Sequence, residues 1–143
     1  MTDIEVAKNN LAGHTICLCK GGVCLYSDAR GISPMMNFIA DGVDLSGYSV
    51  ADLIVGKAAA LLFIKCGIKE VYAKTLSKPA KKVLESNGVP VTFGTLTENI
   101  INRTGTDVCP IEKAVLDTCN PEEAYALIAQ TLAVLRGRGR SPN

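Results

Sequence analysis

The sequence predicts an α/β domain of three layers, with helices on both faces of a mixed five-stranded sheet. Three observations carry that expectation. The first is the run Ser49 to Gly67, SVADLIVGKAAALLFIKCG, which reads as a buried strand, a Gly-Lys elbow and a helix apolar almost all round. The second is that two more strand-like runs follow, each reached through a helix. Strand–helix–strand connections of this kind give parallel strands with right-handed crossovers. The third is a pair of strand-like runs about Gly21-Gly22, a two-residue primed turn that adds an antiparallel hairpin. A parallel sheet needs cover on both faces, hence the layered α/β/α arrangement.

In chain order, Thr2 to Leu11 is a short helix with Ile4, Ala7 and Leu11 on one face and Thr2 or Asp3 as cap. His14 to Lys20 and Val23 to Asp28 are the hairpin strands, in a register that sets Cys19 opposite Cys24 and Cys17 on the same sheet face. Ser33 caps a helix with Pro34 in its first turn, buried through Met35, Met36, Phe38 and Ile39. Val50 to Val55 is the central strand, and Gly67 closes the apolar helix that follows. Lys69 to Thr75 alternates as a strand. Ser77 caps the next helix, whose inner face is Ala80, Val83 and Leu84. Pro90 to Gly94 is a short strand, and Leu96 to Asn102 is spaced as a brief helix. Cys109-Pro110 opens another helix, with Glu112 placed as its capping-box acid. Asn120-Pro121-Glu122-Glu123 begins the last, expected to end near Arg136.

A chain of 143 residues that is 48% hydrophobic and 20% charged is one domain with a core, and is not disordered. We expect residues 1–136 to form that domain and residues 137–143, with their arginines and glycines, to be a flexible basic tail. A net charge of +1 gives no ground for nucleic-acid binding. Met1-Thr2-Asp3-Ile4-Glu5 lacks the basic start of a secretion signal, and the longest apolar run is too short to span a bilayer, so we expect a cytoplasmic protein without membrane contact. The six cysteines then read mainly as small hydrophobes. Cys17, Cys19 and Cys24 could form a metal or redox cluster, but a fourth ligand is missing from the pattern.

Candidate chemistry gathers at the carboxyl ends of the parallel strands, where α/β domains place ligands. Gly56 permits close backbone approach, and Lys57 opens a helix whose free N–H groups favour an anion. The alternative is a tight turn with a solvated lysine. Asp52 in an apolar strand needs a partner, with Lys57 or Arg103 the candidates. Cys109 before Pro110 would sit at a helix start that favours a thiolate, or would simply pack there. Asn102 and Arg103 suit a carboxylate or phosphate. His14, the one histidine, is expected at the surface.

Five blocks in one order give a further indication: VGKAAA at Val55, EVYA at Glu70, IINRTG at Ile100, CPIEK at Cys109 and PEEAY at Pro121. Together they resemble the prokaryotic family called domain of unknown function 1893, over roughly Ala7 to Leu135. That family resembles the cytidine-deaminase-like fold, which the element order accommodates. The resemblance would imply zinc, a catalytic Glu and a Cys pair at the starts of two crossover helices. Those places hold Gly56-Lys57-Ala58 and Ser77-Lys78-Pro79-Ala80, so no zinc and no other cofactor is expected there.

The function expected is binding of a small anionic ligand, such as a nucleotide or phosphorylated metabolite, by Gly56, Lys57, Ser77, Asn102 and Arg103. Two alternatives stand beside it. One is a thiol-dependent enzyme in which Cys109 is the nucleophile, Lys57 and Arg103 stabilise charge, and Asp52 is a further catalytic candidate. The other is a non-catalytic interaction module, with a homodimer as its simplest form.

Overall fold

The computed structural model describes residues 1–101 and 108–139. The element order is α1 Asp3–Asn9, β1 Ile16–Lys20, β2 Val23–Ser27, α2 Ser33–Ala40, β3 Ser49–Val55, α3 Lys57–Cys66, β4 Glu70–Ser77, α4 Lys78–Ser86, β5 Val91–Thr97, α5 Pro110–Ala114 and α6 Pro121–Gly139. The five strands form one sheet in the order β2-β1-β3-β4-β5. β1 runs antiparallel to both β2 and β3, while β3, β4 and β5 are mutually parallel.

The two faces are covered unequally. On one face α2, α3, α4 and α6 enclose the main core. Ala58 through Phe63 of α3 are all buried, which is why that helix carries no polar stripe. Burying Leu61, Leu62 and Phe63 contributes about 1.5–3 kcal/mol apiece before the entropy of ordering them. Gly67 ends α3 at φ 72°, a left-handed conformation that costs glycine little. On the other face α1 is the one helix among the described residues, packing Ala7 and Leu11 over Cys17, Cys19 and Ala51.

The hairpin turns at Gly21 and Gly22, both with positive φ, and sets Cys19 opposite Cys24 as the register requires. Those two residues form a disulfide, so they are not the free apolar thiols expected. The cause is their direct cross-strand pairing, which brings the Cα atoms to 4.2 Å.

Three boundaries differ from the sequence reading. The expected helix from Leu96 to Asn102 is absent up to Ile101; β5 instead continues to Thr97, paired with Ser77 of β4. The apolar spacing there imitates a helix, but the ladder to β4 takes the backbone hydrogen bonds. Ser33 lies inside α2, whose N-cap is Ile32 with no side-chain hydrogen bond. α6 continues past Arg136 to Gly139, so the expected tail at 137–143 begins within a helix; residues 140–143 lie outside the described residues.

The caps at Thr2 and Asn120 are as the sequence indicates, and so is that at Ser77. The Ser77 hydroxyl, fully buried, accepts the Ala80 N–H at 3.2 Å. Ser77→Ala is expected to cost about 1 kcal/mol, read as a lower denaturation midpoint at unchanged m-value.

Candidate functional site

The corner where β3 meets α3 is filled. Gly56 holds an extended backbone, and α3 starts at Lys57. Glu112 reaches across from α5. Its Oε1 accepts the Lys57 N–H at 2.7 Å and its Oε2 accepts the Ala58 N–H at 3.0 Å. One carboxylate thus satisfies two of the unpaired donors at the helix start, with a charge of the sign the helix dipole favours. Gly56 is required for space rather than conformation: a Cβ there would stand 2.8 Å from Glu112 Oε2 and closer still to Oε1. The Lys57 amine donates to the Leu116 carbonyl at 2.9 Å, which ties the segment after α5 to the same corner.

Burial pushes the Glu112 carboxyl above its ordinary range. The two N–H bonds and the Lys57 charge oppose that rise without cancelling it. Glu112 therefore does not act as the capping-box acid of its own helix. α5 has only five residues, and it packs on α3 and α6, which directs the side chain outward to a neighbour.

The other expected site residues are employed separately. Asp52 is buried; its Oδ1 accepts the Ile54 N–H at 3.3 Å, and no ion pair reaches it among the described residues. Desolvation lifts its carboxyl to about 7. The expected Asp52–Lys57 pairing is not formed, because the lysine amine is held at Leu116. The Ser77 hydroxyl serves α4 as its cap. Cys109 is partly buried at the start of α5, with no side-chain cap bond. Asn102 and Arg103 lie outside the described residues. Gly56 and Lys57 are thus brought together, but around Glu112.

An open cleft that the sequence reading did not single out lies beside α1. Its volume is about 570 Å³, and its lining includes Lys8, Leu11, His14, Leu53, Tyr72 and Lys74. The Lys8 amine sits 4.4 Å above the centre of the Tyr72 ring. Lys8 and Lys74 enter no ion pair among the described residues. His14 Nδ1 lies 2.7 Å from Asp28 Oδ1, and its ring packs on Tyr26 at 4.8 Å. The signal was present in the alternation of β4, which sets Tyr72 and Lys74 on one face. What the sequence did not reveal was that α1 covers only part of that face.

The sequence model of the family "TM1506: Domain of unknown function (DUF1893)" matches residues 6–132. The chain belongs to the DUF1893 family. A crystal structure of a DUF1893 family protein, TM1506 from Thermotoga maritima, is similar at a TM-score of 0.76 and 28% identity, covering 82% of this chain and 80% of that one. A search of curated proteins finds no match. Membership in DUF1893 indicates no activity, so function has to be argued from the residues. No helix among the described residues is long and apolar enough to cross a membrane.

Proposed function

We propose that this DUF1893 protein binds a small anionic ligand, and that the ligand lies in the cleft beside α1. The observation that supports this reading is the lining: two lysines outside any ion pair among the described residues, and a histidine already engaged by Asp28, beside the apolar and aromatic surface of Leu53 and Tyr72. Such a surface suits a phosphorylated or carboxylated ring, since an anion can draw the Lys8 amine off the Tyr72 ring while a planar group packs against Leu53 and Tyr72. The volume is within the ordinary range for small-molecule sites, roughly 300–1,000 Å³.

The test is a thermal-shift series at physiological salt with inorganic phosphate, a nucleoside monophosphate and a tricarboxylate. A ligand at a hundred times its dissociation constant stabilises by about 2.7 kcal/mol. The expected result is stabilisation by at least one of them, lost in the double variant Lys8→Ala, Lys74→Ala. No stabilisation by any, or the same shift in the double variant, would sink the reading.

A second seat is the α3 corner with Gly56, Lys57, Ser77, Asn102 and Arg103. The observation favouring it is the bidentate grip on a carboxylate already made there. That seat opens only when Glu112 leaves. Stabilisation by phosphate that appears only in Glu112→Ala would favour it over the cleft. The cytidine-deaminase-like reading of the fold also stays a proposal, supported by the order of elements, and the ligand reading draws no chemistry from it.

A further inference from the structure

The other unusual feature lies beneath α1, at the hairpin. The sulfurs of Cys17, Cys19 and Cys24 all lie within 4.8 Å of one another. Cys17 and Cys19 are completely buried, and Cys24 is partly exposed. Cys17 Sγ is 3.6 Å from Cys19 Sγ. Tetrahedral thiolates on an ion with bonds of about 2.3 Å would stand about 3.8 Å apart, so this pair is already at ligand spacing.

A second observation is independent of the sulfurs. Ser49 is 1% exposed, and its Oγ is the buried side-chain oxygen left without a hydrogen-bond partner among the described residues. An unpartnered buried hydroxyl costs free energy and calls for an explanation. The register supplies one. Cys19 pairs with Cys24 on one side and with Ser49 on the other, while Cys17 pairs with Ala51. Residues directly opposite in a sheet share a face, with Cβ atoms about 4.5–5.5 Å apart. Cys24, Cys19 and Ser49 therefore form a row across three strands, with Cys17 two residues along β1 on the same face. The three-thiol pattern in the sequence lacks a fourth donor; the fold puts Ser49 in the next place of that row, opposite Cys19.

We infer that the reduced hairpin is a binding site for a thiophilic divalent cation of the zinc class, held by Cys17, Cys19 and Cys24 with the Ser49 hydroxyl as fourth donor. The disulfide must open first. A dithiol reductant supplies two electrons and two protons to the Cys19–Cys24 bond and leaves as its own disulfide. The cation then replaces the protons of three thiols, releasing three protons and leaving an S3O centre with one net negative charge. Burial pushes the Cys17 thiol up, and the cation reverses that effect by direct bonding. Partly exposed Cys24 is the side from which the ion enters. The oxidised hairpin has no free pair of thiolates to offer, so occupancy follows the redox state of one bond.

The experiment uses the full chain, fully reduced under anaerobic conditions, titrated with Co(II) and then with Zn(II) against a chromophoric chelator. The expected result is one ion per chain, with thiolate-to-cobalt charge-transfer bands and the intense d–d bands of a tetrahedral site. Zn(II) should displace the cobalt. Cys17→Ser, Cys19→Ser and Cys24→Ser should each abolish the charge-transfer signature or weaken binding by about a hundredfold, and Ser49→Ala should weaken it by about tenfold and shift the d–d bands. A triple replacement of Cys66, Cys109 and Cys119 by Ser should change neither. Far-UV circular dichroism on each variant separates lost binding from lost fold, and Ser49→Ala keeps the test open if a Cys variant fails to fold. Absence of tetrahedral cobalt bands in the reduced chain would overturn the inference, as would equal binding by the oxidised chain or loss of binding in the Cys66, Cys109, Cys119 variant.

Discussion

Glu112→Ala is expected to destabilise the domain by about 2–4 kcal/mol, because it leaves two helix-start N–H donors without their charged acceptor and unties α5 from α3. For a chain of this size the midpoint of thermal unfolding should fall by roughly 7–13 °C. Glu112→Gln should recover little of it. The amide keeps one acceptor, but it turns the other atom into a donor facing an N–H. Gly56→Ala should be costly for the same reason from the opposite side, since the new methyl group would occupy the space of the carboxylate. The two changes should not add. With Glu112 already removed, alanine at position 56 meets no carboxylate in an extended conformation it adopts freely, and it should be neutral or stabilising by about 0.5 kcal/mol. Chemical denaturation of the four proteins checks this. Additive losses would mean that the carboxylate is not in the corner.

The second large effect concerns Asp52, through pH. Its carboxyl is lifted to about 7 in the folded protein against an ordinary value of 3.8, because burial penalises the charged form. Between those values the folded chain holds a proton that the unfolded chain has released. Stability contributed by this group is therefore full below about pH 4 and lost as pH rises through 7. A shift of about three units corresponds to on the order of 4 kcal/mol. Asp52→Asn removes the ionisation at nearly the same shape. It should match the wild type near pH 4 and exceed it increasingly up to pH 8. Glu112 moves stability in the same direction, since its carboxyl is also raised, but it is present in both proteins and drops out of the difference. A difference independent of pH, or a less stable Asp52→Asn at pH 8, would show that Asp52 is ionised and paired in the fold.

Much of the fold could be read from the sequence because local signals and global packing agree. The Gly21-Gly22 turn, the all-apolar α3, the left-handed Gly67 and the Ser77 cap each say locally what the sheet requires. The end of β5 is hidden in the sequence because Leu96 and Ile100 fall at helical spacing, whereas pairing with β4 holds Leu96 and Thr97 in the strand. The site was less legible for a similar reason. Gly56 and Lys57 mark the start of α3, and its free N–H groups meet a carboxylate of the chain itself, that of Glu112, fifty-five residues away from Lys57. Nothing within either segment encodes that meeting. The cleft beside α1 and the row Cys24–Cys19–Ser49 likewise exist only once strand order is known.

The most direct measurement is an amide ¹H–¹⁵N map of the wild-type protein during titration with inorganic phosphate and a nucleoside monophosphate. Saturable shifts are expected at Lys8, Gly13, His14, Tyr72 and Lys74, with the amides of Lys57 and Ala58 unmoved because Glu112 holds them. Shifts centred on Lys57 and Ala58, with the α1 cleft silent, would contradict that expectation.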